Sequence, residues 1–391
     1  MKVGIVGLGF RLGYLARVFS AKVPDFQVVA YVDPQPAGLP YAQQHGISVG
    51  TPYSSLEEML AAEKLDLLMV GSPNHLHLDH IRTGLAHGKK IFTEKPVVTS
   101  VEETMELAKL IHAHGADSVM VGLVLRYAPL YVDLRKSIAA GELGDVVSIE
   151  ASEHIAPYHG AFFMRDWRRY AKYAGGFMLE KCCHDLDLYN GVMGCRPARV
   201  ASFGGRKSFV PANAPEGEGA NDTAVYHRKP SGWMGSDKVF DSDGDIIDFQ
   251  TAIVEYTNGA SMTFHTNLNV PDQFRRFCVV GSKGMAEGDF VRNFYKVHDA
   301  RTSRKITDVT YQVSELSEHY GADEQMAADV SNHMLHDKPL PVSVVDALEA
   351  GLLAITLDEA RRTRSVIDMA SIWLRFDAAL HGQIAQAAVR T

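Results

Sequence analysis

The chain has 391 residues, 46% of them hydrophobic and 22% charged, which is ordinary globular composition with room for two domains and large cores. A formal net charge of −8 without a lysine- or arginine-rich block argues against nucleic acid as a partner. The four cysteines, Cys182, Cys183, Cys195 and Cys278, form no C-x-x-C pair, so no disulfide framework and no metal site is expected; with no apolar run near the ~20 residues of a membrane span and no leader pattern, a cytoplasmic protein away from membranes is expected.

The first 120 or so residues alternate short apolar runs with amphipathic stretches. Strands are predicted at Lys2–Val6, Val28–Val32, Leu65–Val70, Lys90–Thr93 and Val119–Leu123. Helices are predicted between them, at about Arg11–Ser20, Pro40–His45, Ser55–Ala62, Leu76–His87 and Ser100–His114. Two of these open with Ser-x-x-Glu, at Ser55/Glu58 and Ser100/Glu103, the sequence mark of a helix start. Such alternation predicts a doubly wound parallel sheet covered on both faces.

Beyond residue 125 the rhythm changes. Tyr131–Ala140 reads as a helix, Val146–Ala151 as a half-buried strand, and Gly176–Met193 as a helix stopped by Gly194 and Pro197. Strands at about 198–204, 249–257, 260–269, 274–281, 284–289 and 293–299 follow without helices between them, which predicts a large, mostly antiparallel sheet. Asn258-Gly259 marks a hairpin turn within it. Residues 205–248 are rich in Gly, Pro, Asn and Asp and read as an insertion. Helices return at about 322–336 and 344–363. The fold class is therefore α/β. A Rossmann domain is expected over 1–123 and a second α/β domain with an open sheet over 124–391, its C-terminal helices able to pack back on the first domain.

Gly7-Leu8-Gly9 follows the first strand and opens the first helix. Glycines there let a backbone approach a pyrophosphate, and the helix N-terminus offers free N–H groups and partial positive charge. Phe10 and Arg11 begin that helix and join the cofactor-binding set. Asp33 closes the second strand, where a carboxylate would accept from ribose hydroxyls and repel a 2′-phosphate, so NAD is favoured over NADP. The third glycine falls at Gly13, one place later than the usual spacing, with Leu12 before it.

Three further motifs carry a resemblance. They are Ser72-Pro73-Asn74-His75-Leu76-His77, then Gly88-Lys89-Lys90-Ile91-Phe92-Thr93-Glu94-Lys95-Pro96, and then Gly175-Gly176 followed by Glu180, His184 and Asp187. In this order and spacing the chain resembles the glucose–fructose oxidoreductase/inositol dehydrogenase (Gfo/Idh/MocA) family over nearly its whole length, since Pro339–Ala347 also fits. The resemblance implies a nicotinamide cofactor and a homodimer or homotetramer built through the second sheet. It also implies that Ser72, Asn74 and His77 line the nicotinamide side, and that Glu94 and Lys95 lie near the nicotinamide ribose and the reacting carbon. Trp167-Arg168 resembles the family's W-R pair at the cofactor or cleft, and the Lys95–Pro96 bond is often cis in relatives. The chain departs from the family pattern with Glu180 in place of Asp, Cys182 in place of Gly, and Val124 in place of Asn.

Oxidising a secondary alcohol needs a hydride acceptor, which the cofactor is, and a proton acceptor, which the protein supplies. An imidazole near neutrality suits the second task, which points to His184. Glu180, four residues earlier on the same helical face, can orient that ring, and Asp187 can hold a substrate hydroxyl. Lys95 can stabilise a developing alkoxide. Either Lys95 or His184 can remove the proton. Tyr158 and Arg165, with His154 and Asn267, are the substrate-side candidates, while His77 can equally pack its helix. Cys182 and Cys183 read as small buried fillers. Asp241–Asp245 imitates a calcium loop but lacks glycine at the sixth position and glutamate at the twelfth.

The expected activity is hydride transfer between NAD and a secondary alcohol carbon of a sugar, sugar derivative or cyclitol. Two alternatives stand beside it. One is an NAD-dependent glycosidase acting by transient sugar oxidation. The other is a non-catalytic NAD(P)-binding regulator.

Overall fold

A computed structural model describes residues 1–216, 224–312 and 319–382. Residues 217–223, part of the 205–248 insertion, lie outside the described residues. The described residues form two compact units. The first comprises Met1–Val124, Asp323–Leu352 and the described residues from Ala370 on; the second comprises those of Leu125–Ala322 and Leu353–Met369.

In the first unit six parallel strands, β1 (Lys2–Val6), β2 (Gln27–Val32), β3 (Thr51–Tyr53), β4 (Leu67–Val70), β5 (Lys90–Thr93) and β6 (Val119–Val121), lie in the order β3-β2-β1-β4-β5-β6. The central strands are mostly apolar because helices cover both faces, and all four residues of β4 are fully buried. Strand order reverses between β1 and β4, which opens a crevice at their carboxyl ends. Both Ser-x-x-Glu starts behave as read. Ser55 accepts from the Glu58 N–H and Ser100 from the Glu103 N–H. The last helix, Ala370–Leu380, packs against Val101–His114.

The second unit carries nine strands: β7 (Val146–His154), β8 (Pro197–Gly205), β9 (Phe249–Tyr256), β10 (Ser261–Asn267), β11 (Phe274–Gly281), β12 (Gly284–Asp289), β13 (Phe294–Asp299), β14 (Lys305–Thr310) and β15 (Ile367–Asp368). Their order is β14-β13-β12-β11-β7-β10-β9-β8-β15, and only β7–β10 pairs in parallel among them. Burial alternates along the strands. In β10, Met262, Phe264 and Thr266 point to the packed face while Ser261, Thr263 and His265 point away from it. The helix Phe177–Met193 packs on β7 and is buried along most of its length. It ends at Gly194, whose left-handed φ of 66° lets its N–H return to the Asn190 carbonyl.

Several described elements had no clear signal in the sequence, among them the last helix, Ala370–Leu380. The helix Pro157–Arg165 and β3 are short. Strand β14 lies at the sheet edge with no buried residue, so it lacks apolar alternation. Strand β15 has two residues. Strand β7 also runs three residues past the expected end, because Ser152, Glu153 and His154 are buried polar residues that keep the register with β10 and β11.

The insertion is anchored by charge. Asp248, fully buried, accepts from the backbone N–H groups of Lys207, Ser208 and Phe209, each at 2.8 Å. The Arg206 guanidinium donates to the carbonyls of Ser242, Gly244 and Ile246. The aspartates of the 241–245 run are engaged by protein rather than presented as a loop for calcium: Asp243 pairs with Arg169 and Tyr170, and Asp245 accepts from the Ala171 N–H. Replacing Asp248 would remove the acceptor of three N–H groups at once. Asp248→Ala is therefore expected to lower unfolding free energy by about 2–4 kcal/mol, read as a drop in the denaturant midpoint. An unchanged midpoint would show that these three bonds do not hold the insertion.

Candidate functional site

In the first unit the turn after β1 is shaped by backbone contact. Gly7 has a φ of 84°, and a Cβ there would sit 2.2 Å from the Ser72 nitrogen, so only glycine fits. A Cβ on Gly13 would meet the Gly38 carbonyl at 2.8 Å. The shifted third glycine therefore packs the helix Phe10–Lys22 against the turn after β2, and Leu12 rests on Gly71 instead. Gly9 caps that helix with no side-chain bond, a Cβ there would meet nothing within 4 Å, and the first turn holds no acidic residue. Such an end leaves free N–H groups beside open space, which fits a pyrophosphate. Asp33 is half-buried at the end of β2. Burial raises its pKa, while N–H bonds from Gln35 and Leu8 favour the carboxylate. Phe10 is 53% exposed and meets Tyr41 edge-on.

Ser72, Asn74 and His77 are buried just after β4. The Ser72 hydroxyl contacts Nδ1 of His80 at 2.9 Å. Burial, then the neighbouring His77, push His80 down to about 4, so it is neutral near pH 7. His77 places Nδ1 2.8 Å from the Pro96 carbonyl and Nε2 2.8 Å from the Ser72 carbonyl, so its ring bridges the two segments that follow β4 and β5. Glu94 is buried; it accepts from Arg11 Nε at 3.0 Å and from the Lys95 N–H at 3.2 Å. Arg11 also reaches Asp323 at 2.7 Å. Burial opposes the charge of Arg11, but the carboxylates of Glu94 and Asp323 outweigh it and hold the guanidinium protonated. The Lys95–Pro96 bond is cis.

In the second unit, three carboxylates of the helix Phe177–Met193 meet three arginines. Glu180 accepts from Arg168 Nε at 2.7 Å. Asp185 takes two bonds from Arg275, at 2.8 and 2.6 Å. Asp187 takes two from Arg126, at 2.6 and 2.8 Å, so the residue expected to hold a substrate hydroxyl has each carboxylate oxygen bonded to guanidinium. His184 stands among them, 5% exposed, with the His319 ring centroid 6.5 Å away. Arg168 lies 4.3 Å over the buried Trp167 ring and also bonds Asp166 at 2.8 Å. Burial works against its charge, but Asp166 and Glu180 outweigh that and raise its pKa.

The substrate-side candidates separate. Arg165 is 4% exposed and donates to the carbonyls of Tyr226, Lys229 and Ser236, so it secures the insertion. Tyr158 lies under the Arg228 guanidinium at 4.6 Å. His154 and Asn267 meet across β7 and β10 at 3.0 Å, and burial, then His265, push His154 down to about 4.

Beneath the helix, Glu153, Cys182 and Asp185 bring ligand-type atoms within 4.8 Å of one another. Arg275 and Lys181 already face the carboxylates, at 2.6 Å from Asp185 and 3.2 Å from Glu153, and burial holds the Cys182 thiol protonated. This is an ion-pair core rather than a metal centre. Burial raises Asp185; Glu153 is desolvated too, but Arg275 and Lys181 outweigh this and lower it. Sequence reasoning missed Asp166, Arg126 and Arg275 as parts of the site. Asp166 carried a local signal, an aspartate capping the turn Trp167–Arg169. Arg275 carried none, being 90 residues from Asp185.

Residues 1–123 match the family described as "Oxidoreductase family, NAD-binding Rossmann fold", and residues 135–369 match its "C-terminal alpha/beta domain". The scyllo-inositol 2-dehydrogenase (NAD(+)) of Bacillus subtilis is 28% identical over 212 residues, which is 52% of this chain and 57% of that relative. The inositol 2-dehydrogenase of Rhizobium meliloti is 27% identical over 204 residues, 52% of this chain and 58% of its own length. The chain thus spans little more than half of these curated relatives. A levoglucosan dehydrogenase, solved with NADH and levoglucosan, superimposes with a TM-score of 0.75 at 17% identity, covering 95% of this chain and 99% of that one; this likeness concerns the fold. With both of its domain descriptions matched in order, the chain belongs to the Gfo/Idh/MocA oxidoreductase family, and its first 123 residues are that family's NAD-binding Rossmann fold.

Proposed function

We propose that this protein is an NAD-dependent oxidoreductase that transfers a hydride between nicotinamide and a secondary alcohol carbon of a sugar, sugar derivative or cyclitol, with Lys95 and His184 as the acid/base pair. The supporting observation is that both groups stand on fixed supports. Lys95 follows a carboxylate tied to Arg11, and His184 sits on a helix held by Arg126, Arg168 and Arg275. Such support keeps a reacting group in one geometry. Relatives named as inositol dehydrogenases agree with this substrate class.

When bound, the cofactor supplies the hydride acceptor. The N–H groups after Gly7 and Gly9 would take its pyrophosphate, with Phe10 and Arg11 at the same helix end, and Asp33 its adenosine ribose. Ser72, Asn74, His77 and Glu94 would shape the nicotinamide side, His77 by tying two backbone segments together. Trp167 and Arg168 would complete the cofactor contacts. Lys95 donates to the reacting oxygen and His184 exchanges its proton; Glu180 steadies the imidazole from one helical turn away. Asp187 acts by fixing the helix through Arg126. Tyr158 is the remaining substrate contact, and Arg165 shapes that side by holding the insertion.

Residues 1–123 would bind the cofactor and 124–391 the substrate and a second copy. The open face of the nine-stranded sheet, which exposes Phe203, Ile253 and Val280, suits assembly as a homodimer or homotetramer. Four free cysteines suit a reducing, cytoplasmic setting, and no described helix is long and apolar enough to cross a membrane.

The test is a screen of sugars, sugar acids, cyclitols and aryl glycosides with NAD and NADP, followed by nicotinamide absorbance. Net NADH from a polyol is expected. Phenol release from an aryl glycoside without net NADH would move the assignment to a glycosidase working by transient oxidation. Tight NAD binding with no turnover would move it to a regulator. Lys95→Ala and His184→Ala should each lower turnover by at least ~100-fold, with NAD binding kept in the His184 variant; near-normal rates in both would sink the acid/base assignment. Asp33→Ala should weaken NAD binding and narrow the NAD/NADP preference, and an unchanged ratio of the two dissociation constants would remove that role.

A further inference from the structure

We propose that Glu153 and Asp185 hold one proton between them, and that this proton fastens the helix bearing His184 to strand β7. Both are then positioning residues, and the pH response of the reaction depends on them. The positioning role rests on the dehydrogenase reading above; the proton itself does not.

Glu153 lies on β7 and Asp185 on the helix Phe177–Met193, next in the chain to His184. They are 3% and 0% exposed. An oxygen of each lies within 4.8 Å of the other, and the two carboxyl groups share a side-chain hydrogen bond. Ionised carboxylates only accept, so two of them can be hydrogen-bonded to each other only when one carries a proton. The neighbouring cations do not take its place. Arg275 bonds both oxygens of Asp185, at 2.8 and 2.6 Å. Lys181 at 3.2 Å and Arg275 at 3.4 Å both address Oε1 of Glu153. Oε2 of Glu153 is buried and meets no donor among the described residues. A proton on Asp185 is the donor this oxygen lacks.

The surrounding charges agree. Asp289 on β12 is 1% exposed and adds a second buried anion beside Arg275, whose backbone N–H it accepts at 3.3 Å. Arg292 approaches Asp289 at 4.0 Å but is half-exposed. One negative charge on the pair and one on Asp289 balance Arg275 and Lys181, whereas two on the pair would leave an excess. Cys182, Tyr189 and Tyr320 complete the surroundings as neutral groups, each pushed up by burial. Burial, opposed by Arg275 and supported by Glu153, pushes Asp185 up to about 7. The proton therefore bridges two elements one residue from His184. When it leaves, two negative charges repel across that junction in a space of low dielectric, and the helix loses an attachment.

An unfolded aspartate titrates near pH ~4. The folded chain keeps the proton up to about 7, so its stabilising effect is complete below about 4 and is lost as pH rises through 7. His80 and His154, held neutral by burial, drive stability the other way over part of this range. Wild type is therefore read against Asp185→Asn, whose amide keeps a donor for Glu153 but has no proton to titrate. Between about pH 5 and 6.5, the unfolding constant of the wild type divided by that of Asp185→Asn should rise about tenfold per pH unit. Infrared spectra of the wild type near pH ~6 should show the C=O band of a protonated carboxyl, fading above neutrality and missing from both Asp185→Asn and Glu153→Gln. With a polyol substrate, the wild type should lose kcat several-fold above neutrality relative to Asp185→Asn. A missing band, or a ratio of unfolding constants that is flat with pH, would overturn the shared proton. Identical pH profiles of kcat in the two proteins would overturn the positioning role. Should Asp185→Asn not fold, Glu153→Gln, whose amide donates to Asp185, takes its place in each comparison. Failure of both to fold would show that both carboxylates must be charged and would end the proposal. The band without any polyol oxidation would leave the proton standing and remove the dehydrogenase reading instead.

Discussion

A carboxylate buried in protein must be met by a cation or by hydrogen-bond donors, and along the helix Phe177–Met193 an arginine meets it three times. Glu180, Asp185 and Asp187 are each within 3% of full burial, and each is bonded to a different arginine. Those arginines come from the turn Val124–Tyr127, the turn Trp167–Arg169 and strand β11. Attractions from three directions fix both the rotation and the position of the helix. Breaking one buried pair would leave an uncompensated charge, commonly a loss of about 3–5 kcal/mol. His184 inherits that rigidity because it lies between the paired positions.

The first unit uses the same device on a smaller scale. Arg11 leaves the helix that begins at the glycine turn and bonds both Glu94 and Asp323. The cofactor turn, the segment carrying Lys95 and a distant helix are thereby linked through one guanidinium. Where the backbone itself must come close, glycine does the work instead: Gly7 against Ser72, and Gly13 against Gly38. The spacing that looked irregular in the sequence has a plain cause. The helix meets the turn after β2 one residue later than usual, and Leu12 fills the space over Gly71.

The insertion after β8 follows this logic too. Its apolar content is low, so burial alone would not order it. Asp248, Arg206, Arg165 and Arg169 add ionic and carbonyl bonds to a small cluster of Phe209, Tyr226 and Phe240.

Much of this was legible in the sequence, for a local reason. Period-two and helical apolar patterns give the strands and helices, the Ser-x-x-Glu starts give two helix ends, and the glycine turn gives the nucleotide crevice, since each depends on neighbours a few residues apart. What each carboxylate does was not legible there. Glu180 shares a helical face with His184 and also bonds Arg168, while both oxygens of Asp187, read as facing a substrate, bond Arg126, 61 residues away. Arg165 read as a substrate contact and instead holds three carbonyls of a loop more than 60 residues on. A sequence lists charges in order along the chain, whereas the energy of a buried charge depends on what surrounds it in space, and only the tertiary fold assigns those partners.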